Sequence, residues 1–321
     1  MSDAPPAVPT TLAFTAPLAF TATLAFTAPL DAAAVLGNLR AHAIPGAEIV
    51  DGERHMRLVA TASGPALVTI EVTSDAVLAT IDGDGAGDGD GAGIDGPATV
   101  TPSGEPLLQL LRRWLDLDQD PAAIVAALGD DPVVGSLVRA RPGLRVLGSI
   151  DPFETATMTV LGQQVSLAAA RTFGGRLLAA FGVPGPGGLT VFPEPGVLAA
   201  AGPDAIRQAV GLTGARARSL HSLAAAVADG MPLDGSGGAS EFRSSLLALP
   251  GIGPWTADYL GVRVLGDRDG FVPGDLVLRK ALGARLGREI TAQEAEAASE
   301  AWRPYRAHAL LQLWTNAAYA P

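Results

Sequence analysis

The stretch LPGIGPWTADYL, residues 249–260, sets two glycines and a proline between two segments with helical spacing. Ala239 to Leu249 reads as one helix and Pro254 to Leu265 as the next, joined by Pro250-Gly-Ile-Gly253. Glycine reaches backbone conformations closed to other residues, and Pro254 suits a first helical position, where its missing N–H would have no partner. The turn Gly251-Ile252-Gly253, with Thr256 in the first helical turn beyond it, therefore exposes amides at the positive end of a helix dipole. Such a surface suits a phosphate oxygen and holds it without reading a base. An ordinary αα-hairpin explains the glycines equally well, so the surrounding sequence has to decide.

On the N-terminal side, helical segments follow one another from Pro106. LLQLLRRWLDL, PAAIVAALG and PVVGSLVRA are short and amphipathic; PFETATMTVLGQQ and SLAAARTFGGRLLAAFG follow, the latter with Ser166 as N-cap. After a loop at 184–188 come helices near 196–201, 203–210, 214–229 and 240–249. Beyond the turn, helices are expected at 254–265, 275–286 and 291–318, the last broken at Pro304. Ahead of all this, 31–42 reads as a helix, and HMRLVATA, ALVTIEVT and AVLATI alternate like antiparallel strands. The fold class expected is α+β: a mainly helical bundle, 111–321, behind a small antiparallel-sheet unit, 24–110.

The first 23 residues carry two copies of a hexad, Leu12–Pro17 and Leu18–Thr23, and read as a low-complexity tail, with the third copy, Leu24–Pro29, as the entry to the fold. The Gly/Asp tract at 82–96 reads as a flexible loop. As a calcium loop it fails: in the best frame, from Asp88, Ala92 takes a ligand position and Thr99 stands where a bidentate Glu is needed.

With 321 residues, 48% of them hydrophobic, the chain can bury one large core or two modest ones. No apolar run reaches bilayer length, and Asp3, Pro5 and Pro6 stand where a signal peptide would carry basic residues, so the expectation is a cytoplasmic protein with no membrane contact. There is no cysteine, which excludes disulfides, thiolate zinc sites and Cys-ligated iron–sulfur clusters. The four histidines, at 42, 55, 221 and 308, are too scattered to suggest a metal centre. The net charge of −11 argues against a polyanionic partner at first sight, but the acid excess lies in residues 1–150, while 241–321 hold nine acidic and nine basic side chains.

The hairpin followed by DGFVPGD resembles the helix-hairpin-helix DNA glycosylase superfamily. DPFETATMTVLGQQVSLAAART, FPEPGVLAA, WRPYRAHALLQLW and RARPGLRV are similar to its 3-methyladenine DNA glycosylase II (AlkA-type) branch, over roughly residues 24–321. The resemblance implies an enzyme that flips a damaged base out of duplex DNA and hydrolyses its N-glycosidic bond, with Asp275 at the position of the catalytic aspartate. A carboxylate beside the sugar stabilises the oxocarbenium-like transition state. Asp275 is equally the natural N-cap of the helix beginning LVLRKAL, and both roles can hold together. Members that also cleave the strand use a lysine shortly after the second hairpin glycine; Trp255 stands there, and the only lysine, Lys280, lies on the next helix, so a monofunctional enzyme is implied.

Trp255 and Tyr259 lie one turn apart on the second hairpin helix and Trp314 on the last helix; by resemblance these and Gln163 line the base pocket, although core packing remains open for Trp314. Aromatic faces attract a cationic alkylated purine. Gln164 is assigned as the DNA wedge that fills the gap left by the flipped base. The backbone carbonyls of Leu247, Leu249 and Ile252 correspond to those holding a monovalent cation against a phosphate; no other cofactor is required. Asp267 and Asp269 read as solvated turn residues, and Trp302 and Trp114 as core. Leu30, Ala32, Ala34, Asn38 and Leu276 stand where relatives carry aromatics, so the pocket is expected to be wider. Two other readings stay open: a glycosylase for deaminated or oxidised bases, and a non-catalytic DNA-binding hairpin protein. The expected partner is damaged duplex DNA, bound by a monomer.

Overall fold

The computed structural model describes residues 20–82 and 106–318. The first hexad, residues 83–96 of the Gly/Asp tract and the calcium frame from Asp88 lie outside the described residues.

Five strands, β1 (Phe20–Thr23), β2 (Glu48–Asp51), β3 (Arg54–Thr61), β4 (Gly64–Val72) and β5 (Val77–Asp82), form an antiparallel sheet in the order β1-β5-β4-β3-β2. Alternation decides the faces: Ala66, Val68, Ile70 and Val72 of β4 and Val77, Ala79 and Ile81 of β5 are all buried. Against that face pack Val35, Leu36 and Leu39 of α1 (Ala32–His42) and Leu107, Leu110, Leu111 and Trp114 of α2 (Leu107–Trp114). Helix α2 thus straddles the expected boundary at residue 110 and belongs to the sheet's core.

The expected tail is corrected at its end: Phe20 to Thr23, inside the second hexad, is a strand paired with Ile81 to Leu78. The four-residue edge strand β2, paired with Arg54 to Arg57, was not anticipated either. Both are too short to show alternation before a partner supplies it.

The remaining helices are α3 (Pro121–Leu128), α4 (Gly135–Ala140), α5 (Pro152–Gly162), α6 (Leu167–Phe181), α7 (Pro195–Val210), α8 (Gly214–Ala228), α9 (Ala239–Leu247), α10 (Pro254–Val264), α11 (Leu276–Leu286), α12 (Ala292–Ser299) and α13 (Arg306–Ala318). Within α7 the two segments expected at 196–201 and 203–210 are both helical and are separated at Gly202, which leaves helical geometry with φ 79° and ψ 162° before Pro203. The loop at 184–188 is closed by a two-residue ladder, Val183–Pro184 against Thr190–Val191. No described helix is long and apolar enough to cross a membrane.

The bundle has two cores. One gathers α5 to α9 with Ile252, Ala257 and Leu260; the other gathers α3, α4, α11, α12 and α13 with Val262. Helix α10 therefore sits at the seam, feeding one core from each side, and turns Trp255 and Tyr259 toward the second. RPGLR fastens the sheet unit to the bundle: buried Arg145 donates to the carbonyls of Thr27 (2.5 Å), Pro29 (2.9 Å) and Gln119 (3.1 Å), and Arg141 pairs with Asp31 at 2.8 Å.

Candidate active site

At the seam, Asp275 caps α11 and is 9% exposed. Its Oδ1 accepts from the Leu278 amide (2.7 Å) and from Trp314 Nε1–H (2.9 Å); its Oδ2 accepts from Trp255 Nε1–H (3.0 Å). The carboxylate is thus a helix cap and a fixed charge together, gripped from both sides by indoles on two other helices. A helix N-terminus and N–H donors both favour negative charge there. Among the described residues no cation is paired with it.

The rings that hold Asp275 also form a wall. Trp255 and Tyr259 stack with centroids 5.3 Å apart and planes 11° off parallel, and Trp314 approaches Tyr259 at 6.1 Å and 49°. All three are half-buried, so each keeps an accessible edge or face. Leu276 and Val277, the next residues along α11, are 55% and 48% exposed. Trp302 and Trp114 are core residues.

The hairpin turn is docked on α8. Gly251 has φ 79°, a left-handed conformation, and a Cβ there would lie 1.9 Å from Ser219 Oγ. Ile252 is buried, and its N–H donates to the Leu249 carbonyl at 3.2 Å. Gly253 caps α10 without a side chain, so the first-turn amides of Trp255 and Thr256 meet no side-chain acceptor from the cap.

Gln163, expected in the base pocket, ties the end of α5 to the hairpin: its Nε2 donates to the Gly251 carbonyl (3.1 Å) and to Thr256 Oγ1 (3.0 Å). Thr256 is 2% exposed, and its hydroxyl accepts that bond from Gln163. Next to Gln163, Gln164 is exposed and left-handed at φ 54°, a conformation that costs a non-glycine residue about 1–2 kcal/mol. Asp269 is also corrected: it pairs with Arg303 and, at 3.2 Å, with Arg306, pinning the loop that leads to Asp275.

Sequence reasoning missed Ser219 and Arg216. Arg216 donates to the Gln163 carbonyl, and its guanidinium lies 5.9 Å from the Phe173 ring centroid. Both residues sit in an amphipathic helix whose pattern explains them fully, so no signal marked them. A cavity of about 400 Å³ whose lining includes Arg112, Asp116, Asp118 and Arg268 shares no residue with the site; Arg112 pairs there with Asp118 and Arg268 with Asp116. Among the described residues no cluster of His, Asp and Glu could hold a metal ion.

Residues 21–151 match the AlkA N-terminal domain, and residues 157–306 match the HhH-GPD superfamily of base excision DNA repair proteins. The "probable bifunctional transcriptional activator/DNA repair enzyme AlkA" of Mycobacterium tuberculosis is 37% identical over 287 residues, 88% of this chain and 54% of that protein. The chain thus spans about half the length of that relative. DNA-3-methyladenine glycosylase 2 of Escherichia coli is 30% identical over 91% of this chain and 95% of its own. A solved 3-methyladenine DNA-glycosylase from Archaeoglobus fulgidus shares the fold with a TM-score of 0.74 at 19% identity, covering 94% of this chain and 99% of that one.

Proposed function

The chain belongs to the AlkA-type branch of the HhH-GPD superfamily of base excision DNA repair proteins, and from that premise we propose that it is a monofunctional DNA glycosylase releasing alkylated bases from duplex DNA. The observation that carries this reading is the Asp275 carboxylate held between the indole N–H groups of Trp255 and Trp314, beside a stacked aromatic wall. When the C1′–N bond of a flipped nucleotide breaks, its electron pair leaves with the base and positive charge builds on the sugar. A carboxylate fixed before the reaction stabilises that charge without reorganising. Water then adds to C1′ and loses a proton, leaving an abasic site. Trp255 at the position of the strand-cleaving lysine agrees with a reaction that stops there.

An alkylated purine carries positive charge and is a good leaving group, so stacking on Trp255, Tyr259 and Trp314 and one carboxylate suffice. Exposed, left-handed Gln164 supports its role as the wedge, and the amides of Gly251, Gly253 and Trp255, beside a cap without a side chain, support a phosphate grip. A monovalent cation on the carbonyls of Leu247, Leu249 and Ile252 would extend that grip; Leu249 already accepts one bond but keeps a second lone pair. The partner is damaged duplex DNA, bound by a monomer in a cytoplasmic, nucleoid-associated setting.

Base release from an N-methylated duplex by wild type and Asp275→Asn tests the proposal. Expected are free base with wild type, none with the variant, and retained duplex binding in both. Duplex binding without base release by either protein would leave a DNA-binding hairpin without catalysis, and equal release by both would remove Asp275 from the chemistry. Parallel duplexes with hypoxanthine or 8-oxoguanine read the lesion class, for which the aliphatic Leu276 leaves room.

A further inference from the structure

Far from Asp275, one arginine joins the two halves of the molecule. Arg57 of β3 is 5% exposed and donates Nη1 to Glu48 of β2 and Nη2 to Glu154 of α5, both at 2.6 Å. His55 of β3 lies with Nε2 3.6 Å from Glu48, and Trp114 of α2 walls the cluster, its ring centroid 5.9 Å from the guanidinium and 5.2 Å from the His55 ring. Glu154 lies in the first turn of α5, whose N-cap is Asp151. The last residue beyond that helix is Gln163, bonded to the hairpin, and then comes Gln164.

We infer that the Glu48–Arg57–Glu154 bridge is a positioning element: it fixes α5 along its axis and so sets where Gln163 meets the hairpin and where Gln164 projects. Nine residues separate Glu154 from Gln163, about 14 Å of helix. Helix α5 is a strut fastened at one end to the sheet by the charge-assisted Arg57–Glu154 bond, with Arg57 itself held by Glu48, and at the other to the Gly251 carbonyl and Thr256. A planar guanidinium with a carboxylate on each side dictates direction as well as distance. Stability alone does not require it, since well-packed apolar residues commonly replace buried ion pairs without loss. The consequence for base release rests on the proposed glycosylase reading; the strut itself does not.

Two variants and two measurements test it. Glu154→Gln removes one charge, and Glu48→Gln/Arg57→Met/Glu154→Gln removes the ionic network while keeping its volume, which guards against a misfolded single variant. Hydrogen exchange of the free protein is expected to accelerate several-fold at residues 162–166 in both, with α11 and α13 unchanged. Base release from a 7-methylguanine duplex is expected to fall roughly ten- to a hundredfold, as for a misplacement near 1 Å. In a Gln164→Ala background that fall is expected to vanish, because the strut acts through the wedge. Unchanged exchange at 162–166, wild-type rates in the triple variant, or a fully additive loss with Gln164→Ala would overturn the inference. If wild type releases no base, the glycosylase reading fails, and exchange still decides the strut.

Discussion

At the scale of single residues, Asp275 shows how a structural role and a chemical one coincide. Its position after the hairpin and before LVLRKAL was legible as an N-cap, and the cap bond to Leu278 exists. What the sequence did not reveal is that the indoles of Trp255 and Trp314 hold the carboxylate as well as line the wall, because partners 20 and 39 residues away leave no local pattern. This gives a prediction. Trp314→Phe keeps an aromatic face but removes one donor to a charged group, a bond of about 1.5–3 kcal/mol. Single-turnover base release is expected to drop roughly ten- to a hundredfold, with the thermal midpoint lowered by a few degrees. An unchanged rate would mean that the indole N–H groups only hold the fold.

Gly251 makes the second residue-scale case. A side chain there must adopt φ 79° and displace Ser219, whose Oγ would lie 1.9 Å from the new Cβ. Gly251→Ala should weaken duplex binding and lower stability together, because the turn would leave α8. Adding Ser219→Ala removes the Oγ clash but keeps the Ser219 Cβ at 3.0 Å and the left-handed backbone, so partial recovery in both assays is expected. Full recovery would show that the backbone conformation carries no cost at this site.

At the scale of elements, apolar spacing with Gly and Pro punctuation made the helices legible, and of their caps the sequence reading marked Ser166 and Asp275. Asp31, Asp120, Asp151, Ser166, Thr213, Asp275 and Thr291 each accept from an amide of the helix they open. The sheet's margins were not legible: β1 hides in a repeat and β2 is four residues long, and each exists because a longer strand offers it a partner. The contact of Gln163 was illegible for a related reason. A glutamine at a helix end carries no sign of which neighbour its amide will meet, and here it meets the hairpin. The hairpin's own character is testable as an element. It offers amides where many DNA-binding surfaces offer arginine and lysine, and the chain is acidic overall. Each phosphate neutralised by a side-chain cation adds about −0.9 to the slope of log K against log salt. A shallow slope, corresponding to about three such contacts or fewer, is expected for duplex binding. A slope as steep as six or more contacts would reveal a basic face that the hairpin reading does not contain.

At the scale of the whole molecule, the sheet unit and the bundle meet through buried charge, and the count there is unequal: Glu48 and Glu154 flank the single guanidinium of Arg57. Burial pushes the Glu154 carboxyl up to about 7, against the attraction of Arg57, and Glu48 and Asp151 push it further. Burial also opposes the charge on Glu48, but Arg57 and His55 hold its carboxyl below the usual range. Of the two carboxyls, Glu154 is therefore the one protonated more easily. A carboxyl raised in the fold from its ordinary 4.5 contributes stability below pH 4.5, and that contribution is lost as the pH rises to about 7. Glu48 works oppositely, and its contribution is lost only as the pH falls below 4.5. Glu154→Gln leaves one carboxylate facing one guanidinium and removes the group that titrates between these limits. The stability of the variant relative to wild type, read from urea unfolding at pH 5, 6, 7 and 8, should therefore improve steadily to about pH 7 and then level off. A difference independent of pH would mean that Glu154 titrates in the fold as it does in the unfolded chain, and that the junction holds its two carboxylates without strain.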